Sequence, residues 1–151
     1  MVREQINFIL VQNRQGRTRL SKWYTPLQDA EKHAIEKDVF RVVATRDDAF
    51  TNFVEFNMGK HTHKLIYRRY AALNFVFCVD EKDNELGIYE AIHLLVEALD
   101  GYFGSVCELD LIFQFNKVFN VVDEYILGGK IQETNVKKIL NKVKADDKLT
   151  D

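Results

Sequence analysis

The first apolar run of the chain lacks the polar face that a half-exposed strand would show. In Gln5 to Asn13, Ile6, Phe8 and Leu10 alternate on one side and Ile9 and Val11 on the other. Apolar residues in both phases predict a central strand covered on both faces. Arg14-Gln15-Gly16 then supplies a turn, and Arg17 to Tyr24 returns as the second arm of a hairpin. Thr25-Pro26-Leu27-Gln28 predicts a helix start: Thr25 as cap, Pro26 in the first turn, Gln28 closing a capping box. Ile35, Val39, Val42, Val43 and Arg46 follow at helical spacing. Strand-like runs come next at Asn52 to Phe56, His63 to Tyr70 and Leu73 to Val79. Asn57 to Thr62, with Gly59, is expected as a loop, and Ala71-Ala72 as a tight joint.

The polar stretch Asp80 to Asn84 ends the strands, and Asn84 is placed to cap a helix reaching about Tyr102. Its core stripe is Ile88, Ala91, Ile92, Leu95, Leu99 and Tyr102. Ser105 and Glu108 then have the spacing of a second capping box, so Gly104 to Leu111 reads as a seam between two helices. Leu111, Phe115, Val118, Val122 and Tyr125 carry a single helix onward until Gly128-Gly129 stops it. Asn135 to Lys144 is a short terminal helix, and 145–151 is expected to fray. The order β-β-α-β-β-β-α-α, plus that last helix, predicts one α+β domain over 1–144. It is a five-stranded antiparallel sheet flanked by helices.

Composition narrows the function. With 46% hydrophobic and 29% charged residues the chain is a folding sequence, and a formal net charge of −2 gives no reason to expect nucleic-acid binding. Eleven Phe and six Tyr are many for 151 residues, and some of these rings call for a partner surface. The first residues do not read as a secretory leader, and no apolar run is long enough to cross a bilayer. Cys78 and Cys107 sit among apolar neighbours and read as buried free thiols of a reducing, cytosolic compartment.

Catalytic and metal motifs are weak. Glu90 and His93 have the spacing of a carboxylate-bridged metal pair, but such sites need a second pair. His61 and His63 share a strand face without an evident third ligand. Asp80 to Gly87 fails as a calcium loop because the glycine falls at the wrong position. There is no phosphate loop and no nucleophile elbow, so neither a cofactor nor an enzyme is expected. Two basic groups remain: Arg14, Arg17, Arg19 and Lys22 in the first hairpin, and Lys64, Arg68 and Arg69 on a later strand. Either would suit an acidic peptide or a lipid headgroup, or is a solvated sheet edge.

Residues 12–24 (QNRQGRTRLSKWY), 51–56 (TNFVEF), 65–71 (LIYRRYA), 103–115 (FGSVCELDLIFQF) and 121–124 (VVDE) resemble the sigma, or small, subunits of clathrin adaptor complexes. The likeness runs nearly end to end, and TNFVEF resembles the endocytic, plasma-membrane members rather than the Golgi and endosomal ones. The resemblance implies a longin-like fold and a structural place in a heterotetramer with large adaptin subunits and a medium (mu) subunit. Membrane contact would be indirect, on the cytosolic face of coated pits. It also implies recognition of acidic dileucine signals in cargo tails. Carried over residue by residue, Arg19 would meet the acidic upstream end. Ala71, Leu73, Val96, Val106 and Leu111 would line two leucine pockets, with Tyr70 flanking them. Ser105 stands where endocytic members carry Asn, at a position that would offer the peptide a polar contact. Alternatives are a Golgi or endosomal adaptor, or a purely architectural coat subunit.

Overall fold

The computed structural model describes residues 5–46, 52–131 and 136–150. Strands β1 (Ile6–Gln12), β2 (Thr18–Trp23), β3 (Phe53–Met58), β4 (His61–Tyr70) and β5 (Leu73–Asp80) form one sheet in the order β2-β1-β5-β4-β3. Every neighbouring pair is antiparallel. Helix α1 (Asp29–Ala44) covers one face. Helices α2 (Glu85–Phe103), α3 (Glu108–Phe113), α4 (Phe115–Tyr125) and α5 (Val136–Thr150) gather on the other.

All seven residues of β1 are buried, as its doubly apolar pattern requires. The faces are not the ones simple alternation gives. Ile6 joins Ile9 and Val11 in the larger core, whereas Phe8 and Leu10 pack with Val39 and Val43 of α1. A register shift against β5 between Ile6 and Phe8 changes the phase. Such an irregularity lets a strand re-aim its side chains without losing pairing.

Three local expectations are corrected. Thr25 does not cap α1: its hydroxyl donates to Asn7 Oδ1 at 3.3 Å, and the helix starts at Asp29 with Gln28 at its cap position and no side-chain bond there. The expected 57–62 loop is mostly strand, since Met58 pairs with His61 across a turn at Gly59 (φ +68°). The second capping box lies two residues further on than expected. Cys107, not Ser105, is the N-cap of α3, and Asp110 Oδ2 accepts from the Cys107 amide at 3.0 Å. By contrast, Asn84 caps α2 as expected, accepting from the Leu86 and Gly87 amides at 3.0 and 3.2 Å.

The long helix predicted after the seam breaks at Gln114 (φ −126°, ψ 38°) into α3 and α4. The bend lets Leu111 and the Val118, Val121, Val122 and Tyr125 stripe reach the same core. Gly128 and Gly129, expected as a stop, also turn a small hairpin of β6 (Ile126–Leu127) and β7 (Lys130–Ile131). Asn135, the expected start of the last helix, lies outside the described residues. That helix continues past Lys144 to Thr150. Asp147 gives a reason: it accepts from Lys117 Nζ of α4 at 3.0 Å and from the Tyr102 hydroxyl of α2, so the final turns are tied to the bundle.

The glycine pair separates backbone freedom from space. Both have positive φ, yet a Cβ on Gly128 meets nothing within 4 Å, while one on Gly129 would lie 2.5 Å from the Ile6 carbonyl. That region belongs to a backbone bond, Ile6 N–H to Gly129 O at 2.8 Å, which holds the hairpin to β1. Gly128→Ala should therefore cost about 1 kcal/mol in denaturant unfolding, the left-handed penalty alone. Gly129→Ala should cost at least about twice that, and equal losses would contradict the packing described.

Candidate peptide-binding site

The turn after β1 is organised by one side chain. Asn13 is buried, and its Oδ1 accepts from the Gln15 and Arg17 amides, each at 2.9 Å. This fixes the direction of its Nδ2, which donates to Glu108 Oε1 at 2.8 Å. Arg19, projecting from β2, donates through Nε to the same oxygen at 2.7 Å. The first residue of α3 is thus latched to the first hairpin. Arg19 and Glu108 side chains are 25% and 35% exposed, so the latch lies at the surface. The Arg19 bond, and after it the Asn13 bond, hold the Glu108 carboxyl below the usual carboxylate range.

A second polar bridge lies beside it. Asp100, on the last turn of α2, accepts from the Tyr70 hydroxyl at 2.5 Å and from the Val106 amide at 2.8 Å. The Asp100 bond is the main cause that raises the Tyr70 phenol above its ordinary value, while a bond from Ser105 works the other way. Ser105 therefore sits against Tyr70 rather than at a helix cap. Below this bridge Leu73, Val96, Val106 and Leu111 belong to one core cluster, with Tyr70 packed on it. None of the four is more than 6% exposed. Ala71 stands at the β4–β5 turn in left-handed backbone (φ +51°). Tyr70, Ala71 and Leu73 also border a cleft of about 360 Å³. The structure thus brings Leu73, Val96, Val106, Leu111 and Tyr70 together, closed on one another, while Ala71 stays exposed at the turn and Arg19 is held against Glu108 of α3.

Asp100 and Asn13 were not singled out from the sequence, and Glu108 was read only as part of a cap. A carboxylate three residues after an Asp, Asn or Ser turn carries no partner information of its own. Asn13 builds its own turn locally, but its bond to Glu108, the Glu108 bond to Arg19 and the Asp100 bond to Tyr70 are all long-range.

The other candidates resolve differently. His93 pairs with Glu97 at 2.7 Å, not with Glu90. His63 is buried, its Nδ1 3.2 Å from the His61 carbonyl and its Nε2 3.8 Å from Asp80. Among the described residues no three metal-ligating side chains form a group. Cys78 is buried as expected, and burial pushes its thiol far up. Cys107, expected to be buried, is exposed because it caps α3 at the surface. Several basic residues are already engaged. Lys22 pairs with Asp123 at 2.7 Å, Lys64 with the Asp83 carbonyl at 2.7 Å, and Arg68 stacks on Tyr89.

The chain belongs to the clathrin adaptor complex small-chain family, whose model matches residues 5–150. It is 54% identical to the AP-2 complex subunit sigma of Dictyostelium discoideum, over 95% of this chain and 99% of that one. The AP-2 complex subunit sigma of Schizosaccharomyces pombe is 50% identical over 95% and 99%. AP-1 complex subunit sigma-1 of Arabidopsis thaliana is more distant, 42% identical over 97% and 88%. A chain of a homology model of the full-length AP-3 complex in a stretched open conformation superposes with a TM-score of 0.73. It is 31% identical over 95% of this chain and 94% of that chain. The fold is longin-like, as the resemblance implied, and the relatives are adaptor subunits rather than enzymes.

The latch makes a titration prediction. A carboxyl whose folded pKa is depressed contributes stability above its unfolded pKa and loses it as pH falls through the folded value. Arg19→Ala should move the Glu108 midpoint up, toward the ordinary carboxylate range, in a side-chain NMR titration. An unmoved midpoint would mean that Arg19 does not hold this carboxylate in solution.

Proposed function

We propose that this chain is the small subunit of an AP-2 type adaptor complex at the plasma membrane, and that it reads acidic dileucine signals in cargo tails. The higher identities to AP-2 sigma subunits than to the AP-1 relative support the endocytic assignment. Large adaptins and a mu subunit are the expected partners, and exposed Leu109, Phe113 and Phe115 give them apolar surface to cover. No helix among the described residues is long and apolar enough to cross a membrane. Indirect contact with the bilayer, through the complex, is part of the same proposal.

The observation that carries the peptide reading is Arg19 held by Glu108 at the rim of the Leu73–Val96–Val106–Leu111 cluster. An acidic cargo residue would take over the guanidinium from Glu108, and two leucines would enter the seam beneath. Burying two leucine side chains is worth about 1.5–3 kcal/mol each. A charge-assisted contact adds about 1.5–3 kcal/mol. Ordering a flexible tail subtracts several, leaving affinity on the order of micromolar. Reversible capture of that strength gains from confinement and multivalency on a membrane. The closed walls favour one second reading, a purely architectural subunit.

Surface residues give the cleaner test, because Leu73 and Val106 also support the core. In the assembled complex, Glu108→Gln should tighten binding of an acidic dileucine peptide about fivefold. It should leave the peptide with Gln at the acidic position unchanged. Arg19→Ala should erase the difference between the two peptides. If the wild-type complex does not discriminate a Leu-Leu peptide from its Ala-Ala analogue in isothermal titration, the architectural reading holds instead.

A further inference from the structure

Helix α1 is seated on the sheet by its second half. Val39 and Val43 are its buried residues, whereas Ile35 is half-buried and Ala34 exposed. The first half stands off, and a cleft of about 440 Å³ opens between it and the β3–β4 hairpin. Leu27, just ahead of the helix, and Ile35 line one side, Phe56 and Met58 of β3 the other. Glu31 and Asp38 lie on the same helix face as Ala34 and Ile35, at steps of three or four residues. The two carboxylates are not equivalent. Asp38 is paired with Arg41 one turn further on. The exposed Glu31 side chain has no ion-pair or hydrogen-bond partner among the described residues, and no lysine or arginine among them lines the cleft. The histidines of the lining are His61 and His63, the second turned to the His61 carbonyl and Asp80. An apolar trough is left with one unmatched carboxylate at its edge.

We propose that this cleft docks an arginine from a further protein partner of the complex, in a segment where leucines flank it. The arginine stem matches apolar walls while its guanidinium stays at the wet edge. The planar fork pairs bidentately with a carboxylate and is more weakly hydrated than an ammonium, which favours arginine over lysine. Phe56 and Met58 across the trough suit a leucine beside it. α1 packs on the face of the sheet opposite the Leu73–Val96–Val106–Leu111 cluster. Leu109, Phe113 and Phe115, the surface proposed for the adaptins, belong to α3 and α4 on that other face. The cleft is therefore open while cargo is bound, and the inference does not rest on the dileucine reading.

The test uses the assembled complex with isotope-labelled methyl-methionine in this chain alone. The chain has two methionines, Met1 and Met58, so Met58 reports from the cleft wall. The probe is acetyl-Leu-Arg-Leu-amide, with citrulline, the neutral isostere of arginine, as the control. The arginine peptide should shift the Met58 methyl signal and bind about fivefold tighter than the citrulline peptide. Glu31→Gln, at an exposed position, should bring the two level by weakening the arginine peptide alone. Ala34→Phe, also at an exposed position, should block both by filling the trough. The inference is overturned if neither peptide moves Met58, if arginine and citrulline bind alike, or if the preference survives Glu31→Gln. A Met58 shift that grows with the concentration of the complex, without peptide, gives the face to a second copy and overturns it too.

Discussion

The burial of β1 on both sides is the constraint on which the rest depends. A strand with no solvent face needs a neighbour on each edge and a layer on each face, and the chain supplies all four. β2 and β5 take the edges, α1 one face, and α2 with its followers the other. The ends of β1 are tied as well. Ile6 bonds to the Gly128–Gly129 hairpin, and the turn beyond Gln12 is built by Asn13. The position of Arg19 follows from this too: Leu20 pairs with Val11 and Thr18 with Gln12, so Arg19 is the extra residue of a bulge against β1, without a partner of its own in the ladder.

Elements defined by local pattern were legible in the sequence. Five strands, the Asn84 cap and the stripe of α2 follow from periodicity and one capping residue. Where local chemistry competes with a distant partner, the pattern misleads. Thr25 has every feature of a helix cap, yet Asn7 claims its hydroxyl. Ser105-x-x-Glu108 has the spacing of a capping box, yet Glu108 is drawn to Arg19 and Asn13, while Ser105 lies against Tyr70. The phase change within β1 and the break at Gln114 are tertiary in the same sense. Each trades local regularity for a better fit to the core.

The proposed site divides along the same line. Its apolar residues can be named from the sequence because they match a family pattern; the structure gathers Leu73, Val96, Val106 and Leu111 in one cluster and leaves Ala71 exposed at the β4–β5 turn. Their closed state is a matter of packing that no spacing reveals. The polar frame was less visible. Asp100 is one of several acidic residues on α2, and only the fold gives it Tyr70 and Val106 as partners.

Asp100 works as a yoke. One oxygen holds the hairpin that carries Tyr70 and Ala71, and the other holds the segment that carries Val106. Two donors on one carboxylate draw on the same negative charge, so each bond is weaker than it would be alone and strengthens when the other is lost. The hairpin and the segment carrying Val106 therefore let go of α2 one after the other, and the second release costs more than the first. Loosening either side is easier than freeing both.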